Sequence, residues 1–133
     1  MSEENVEIFK RGWDAGDRRD LEALLALLDA EVEWHAALPM LGGDAVYRGH
    51  DGIRAFFTEV WEVLGDTSFN FPDIRDAGDK VVALGHFRAR GVASGVATET
   101  PFAYVVEFKK GKVARVRSYL DPNEALEAAG LSE

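Results

Sequence analysis

The apolar residues of this chain change period near its middle, and that change constrains the fold more than any other feature. Up to about residue 65 they recur with helical spacing, apart from one strand-like stretch; from 66 to 120 they alternate. Val6, Phe9 and Trp13 fall at i, i+3 and i+7 with Ile8 beside them, behind Ser2 as N-cap and an acidic first turn. This predicts a helix over about 3–15, ended by Gly16. Asp17 and Asp20 offer caps for a second helix striped by Leu21, Leu24, Leu25 and Leu28. Residues 31–36 alternate polar and apolar, as a half-buried strand does, and 38–50 read as a loop containing Pro39, Gly42, Gly43 and Gly49. Asp51 then caps a third helix with Ile53, Phe56, Phe57, Val60 and Leu64 on its apolar face and Trp61 on the flank.

Beyond residue 66 four strands are predicted, at about 68–76, 79–91, 96–109 and 112–120. Asp76–Asp79 and Lys109–Lys112 are hairpin turns in which glycine supplies positive φ. Val82, Leu84, His86 and Arg88 share one face of a strand, and Phe102, Tyr104, Val106 and Phe108 share a face of the next. At the end, Asp121-Pro122-Asn123-Glu124 places Asp at N-cap, Pro at N1 and Glu at N3. Leu126 and Ala129 turn inward, Gly130 is a C′ glycine and Leu131 makes the accompanying contact. Hairpins that follow helices imply an α+β fold with helices packed on one face of an antiparallel sheet. The expected organisation is one domain over residues 1–133.

Charge and composition remove several function classes. The formal net charge is −9, the wrong sign for a nucleic acid or an anionic membrane as main partner. Without cysteine there is no disulfide, thiol nucleophile or Cys-ligated zinc. His35, His50 and His86 include no i, i+4 pair, so no metal and no cofactor is expected. No apolar run is long enough to span a membrane, and the acidic, amphipathic start is unlike a signal peptide, so a cytoplasmic location is expected.

Gly16-Asp17 between the first two helices, the stretches 25–36 and 47–57, and the tail 116–131 carry a resemblance to the SnoaL-like, polyketide cyclase-like group of the NTF2-like superfamily. The resemblance implies a cone: a curved, mostly antiparallel sheet wrapped around three helices from the N-terminal half, with a short C-terminal helix. It also implies an apolar pocket inside the cone and a homodimer through the outer face of the sheet. Catalytic residues known in such folds are mostly replaced. Where ketosteroid isomerases carry a general-base aspartate, this chain has Trp34, and an indole cannot take a proton from carbon. The Arg-x-Asp pair of limonene-epoxide hydrolases is met by His86-Phe87-Arg88. On the last strand of those enzymes a catalytic aspartate is met by Ser118, while Asp121 matches a second aspartate.

Two readings of function follow. In the first, a cyclase- or isomerase-type enzyme acts on an apolar, carbonyl-bearing ligand. His86 is the acid or base, Arg88 polarises the carbonyl, and Tyr104 donates a hydrogen bond, all three lining one cavity with Trp13, Trp34, Trp61, Phe57 and Ser118 as ligand-contacting wall. In the second, the same pocket binds a ligand without chemistry, or the domain acts through dimerisation alone. The bland alternatives are specific. His86 and Arg88 sit on the outer face, Tyr104 and Tyr119 are ordinary core, and the tryptophans fill the interior. His35 lies opposite Trp34, His50 belongs to a turn, Asp121 is only a helix cap, and Arg115 and Arg117 face solvent or a partner. Met40 and Leu41 form a lid or a simple loop.

Overall fold

In a computed structural model that describes residues 2–36, 45–64, 67–90 and 97–131, ten elements follow one another. They are α1 (Ser2–Asp17), α2 (Leu21–Ala26), β1 (Leu28–Ala36), β2 (Ala45–Arg48), α3 (Gly49–Leu64), β3 (Thr67–Asp76), β4 (Lys80–Arg90), β5 (Ala97–Lys109), β6 (Lys112–Tyr119) and α4 (Pro122–Ala128). The strands make one curved sheet in the order β2-β1-β6-β5-β4-β3. Its pairings are antiparallel except β1 with β6, which run parallel.

Helices α1, α2 and α3 bury their apolar stripes on the inner face of this sheet. Phe9, Leu24, Leu25, Ile53, Phe56 and Val60 meet strand residues such as Val32, Val81 and Phe102 there. A second, smaller core lies on the outer face, where α4 lays Ala125 and Leu126 over Val82, Leu84, Ala103 and Val105. The central strands are therefore covered on both sides, whereas β1 is apolar on its inner side alone.

Local signals explain most element ends. Asp20 accepts a hydrogen bond from Ala23 N at 3.2 Å and so caps α2. Asp121 accepts from Asn123 N at 2.9 Å with Pro122 in the first turn of α4. That helix closes with Gly130 at φ +80° and bonds from Leu131 N to Leu126 O (2.8 Å) and from Gly130 N to Glu127 O (3.1 Å), a Schellman arrangement. Lys110 and Gly111, at φ 52° and 77°, form the tight β5–β6 turn.

Three expectations need correction. Leu28 was expected on the second helix but opens β1, because Val113 N donates to Leu27 O at 3.0 Å and the sheet captures the chain there. The expected loop 38–50 contains β2, which pairs with residues 33–36 of β1. α3 begins at Gly49, so Asp51 lies in its first turn, where the helix dipole favours it, and is not its cap.

β3 carries the irregularity that shapes the inner face. Asn70 pairs with His86 and Asp73 with Leu84, so Phe71 and Pro72 together oppose the single residue Gly85. Proline is tolerated there because β3 is an edge strand and bulged. The extra residue lets Phe69, Phe71 and Ile74 all reach the inner core.

Candidate functional site

Between the helices and the inner face of the sheet lies an open cavity with about 100 Å³ of space for the centres of water molecules. Every wall follows from the period of its element. α1 contributes Phe9 and Trp13, α3 contributes Phe57 and Trp61, β1 contributes Trp34, and β5 and β6 contribute Tyr104 and Ser118. The three tryptophans line the space and do not fill it. Trp13, Trp34, Trp61, Phe57, Ser118 and Tyr104, each proposed from sequence as a site residue, therefore surround one cavity.

Tyr104 is the hub of the aromatic wall. Its ring touches Phe9 (6.3 Å), Trp34 (5.7 Å), Phe69 (6.2 Å), Phe71 (5.5 Å) and Phe102 (5.0 Å between centroids). Edge and tilted contacts of this kind suit the ring quadrupoles. Burial among these rings pushes the phenol well above its ordinary pKa, so it stays a protonated donor at neutral pH. Sequence reasoning did not single out Phe69 and Phe71 as pocket wall. Their alternation was visible, but the bulge that sets them there was not.

His86 and Arg88 are corrected. Both are exposed on the outer face of the sheet and line no part of the cavity. The register explains it. Tyr104 pairs with Ala83, while His86 pairs with Pro101, three positions from Tyr104, and an odd spacing along a strand reverses the face. Arg88 instead pairs with Glu99 at 3.1 Å. The grouping of His86, Arg88 and Tyr104 around one ligand does not occur.

The remaining described candidates also fall outside the cavity. Tyr119 packs in the outer core with α4. Asp121 serves as the α4 cap. His50 Nε2 lies 3.1 Å from Leu28 O and ties α3 to β1. Met40 and Leu41 lie outside the described residues. Among the described residues no three His, Asp or Glu side chains gather as a metal-ligand set, and no helix is long and apolar enough to cross a membrane.

His35 lies on the outer face, opposite Trp34, beside a cluster of ion pairs. Glu33 meets His35 (3.3 Å), Arg48 (3.9 Å) and Arg115 (3.6 Å), and Glu107 meets Arg115 (3.7 Å) and Arg117 (2.7 Å). The hydrogen bond with His35, then the charges of Arg48 and Arg115, hold the Glu33 carboxyl below its usual range, as Arg54 does for Glu22. A carboxyl whose pKa falls on folding stabilises the native state above its unfolded pKa and loses that contribution as pH falls through its folded one. Thermal stability is thus expected to decline on acidification below about pH 4.5, modestly because the pairs are exposed. Glu33→Gln should flatten that decline in melting curves taken against pH, and an unchanged acid limb would remove Glu33 from the account.

The sequence pattern of the SnoaL-like domain family matches residues 9–116. Among solved structures, an NTF2-like protein of Burkholderia pseudomallei is 26% identical, with a TM-score of 0.81 over 96% of this chain and 97% of that one. TerC, co-crystallised with polyporic acid, is 25% identical, with a TM-score of 0.79 over 96% of this chain and 98% of that one. A protein of ketosteroid isomerase-like fold from Catenulispora acidiphila, in complex with trimethylamine, shares the fold at 16% identity. Its TM-score is 0.77 over 94% of this chain and 93% of that one. No curated protein matches the chain. The chain belongs to the SnoaL-like domain family and has the NTF2-like fold.

Proposed function

We propose that the protein binds a small, flat, largely apolar molecule bearing a carbonyl in the inner cavity, and holds it without acid–base catalysis. One observation carries this reading. The cavity is open and aromatic, and among the described residues its lining includes no histidine and no charged group but the exposed Asp17 at the end of α1. A cyclase or isomerase acting through His86 loses its geometric support, since proton transfer needs hydrogen-bond reach of the substrate. That TerC was crystallised with polyporic acid favours a small-molecule ligand here as well. Homodimerisation through the outer sheet face belongs to the same proposal, and an interface over β1 and β6 would be ionic at its centre.

Naphthalene is a suitable probe, followed by quenching of tryptophan fluorescence. Saturable binding at one molecule per chain is expected. Gly12 lines the cavity, and a Cβ there would meet Leu24 and Leu27 at ordinary contact distances, 3.6 and 3.8 Å. Gly12→Leu should therefore intrude on the cavity and weaken binding at least about tenfold. Its melting temperature should hold or rise, because leucine is favoured over helical glycine by about 1 kcal/mol. Absence of saturable binding to the wild type would overturn the reading.

A further inference from the structure

Resting on that ligand-binding reading, we infer that the indole N–H of Trp34 and the hydroxyls of Tyr104 and Ser118 form one uncharged donor set, which receives the carbonyl oxygen of an uncharged ligand. The sheet brings the three together. Tyr104 on β5 pairs directly with Ser118 on β6. Trp34 on β1 pairs with Val116, two positions before Ser118 and on the same face of β6. The rings of Trp34 and Tyr104 touch edge to face, at 5.7 Å and 82°.

All three side chains line the cavity, and none makes a hydrogen bond among the described residues. Trp34 is only 6% exposed and lines the cavity, so its indole is fixed in place by packing. Polar groups that line a cavity hydrogen-bond to water or to a ligand, and a well-placed ligand acceptor replaces that water. The indole N–H of Trp13, on α1, is buried and unpartnered too.

The chemistry of the set selects the ligand. An indole can donate and cannot accept, and hydroxyls adapt to either role, so the set as a whole favours an acceptor oxygen. Among the described residues no cation lines the cavity, and the one charged lining residue, Asp17, is an anion. A carboxylate ligand would be desolvated with no counter-charge. The same surroundings that push the Tyr104 phenol up disfavour any negative charge beside it. Trp34 thus acts as a hydrogen-bond donor at a position where an indole cannot serve as general base.

Calorimetric titration with naphthalene, 2-acetylnaphthalene and 2-naphthoate tests this on the whole chain. The ketone is expected to bind about tenfold tighter than naphthalene, and the carboxylate weakest of the three. Ser118→Ala, Tyr104→Phe and Trp34→Phe should each shrink the ratio of ketone to naphthalene affinity measured on the same variant, whatever the change in naphthalene binding itself. The carbonyl stretch of the bound ketone should lie lower in the wild type than in Ser118→Ala, a reading that does not depend on the larger substitutions folding. Equal affinity for ketone and naphthalene, or tightest binding by the carboxylate, would overturn the donor set and leave the apolar pocket standing. Failure of naphthalene itself to bind would overturn the pocket and the donor set together.

Discussion

Gly85→Ala is expected to destabilise the protein by at least about 3 kcal/mol, beyond the usual range for overpacking by one methyl group. A Cβ at this position would lie 1.8 Å from Asn70 O, 2.8 Å from Asn70 C and 2.9 Å from Phe71 Cα. These are backbone atoms of the β3 bulge, so no side-chain rotation relieves the collision. In an ordinary strand the same substitution would be favourable by about 0.5–1 kcal/mol, because alanine has less freedom to lose on folding. The sign of the effect is therefore diagnostic. Urea denaturation should show a large fall in midpoint, a serious loss for a domain whose whole stability is about 5–15 kcal/mol. A midpoint equal to or above the wild type would mean that the bulge is not held against β4 as described.

Phe71→Ala is the second large effect, expected at about 3–5 kcal/mol. Phe71 is 4% exposed and touches Phe9 (5.7 Å), Trp13 (5.2 Å), Phe69 (6.1 Å) and Tyr104 (5.5 Å between centroids). It joins α1 to the sheet at the bulge and also walls the cavity. Its removal enlarges an existing space whose other walls belong to separate elements, so collapse around the gap is limited. The urea midpoint should fall with the slope unchanged. Saturating naphthalene should raise the melting temperature of the variant more than that of the wild type, since the probe refills lost contacts. A loss below about 1 kcal/mol would place Phe71 at the margin of the core.

These two positions also mark where sequence reading reached its limit. Hairpin turns, helix stripes and the α4 caps are local, encoded within a few residues by spacing, by Asp or Gly at a terminus and by Pro122, and they were legible. β2 was not, because four residues between glycines are too few to show a period and the strand exists only by pairing with β1. Leu28 fits a helical stripe and a strand equally, and its hydrogen-bonded neighbour on β6 decided between them. Gly85 looked like any strand glycine, since the bulge that requires it lies on another strand.

The site divides in the same way. The sequence by itself determined the α+β class, the order of most elements and the aromatic residues that came to wall the cavity, because apolar period dictates which side chains share a face. It also determined that Trp34 and His35 point opposite ways. It could not relate the faces of separate strands, since one residue of register turns a strand's whole set over. Only the tertiary structure decided that Tyr104 faces inward with Trp34 and Ser118 while His86 and Arg88 face outward. The pairing of Tyr104 with Ala83, a long-range hydrogen-bonding choice, is the physical reason.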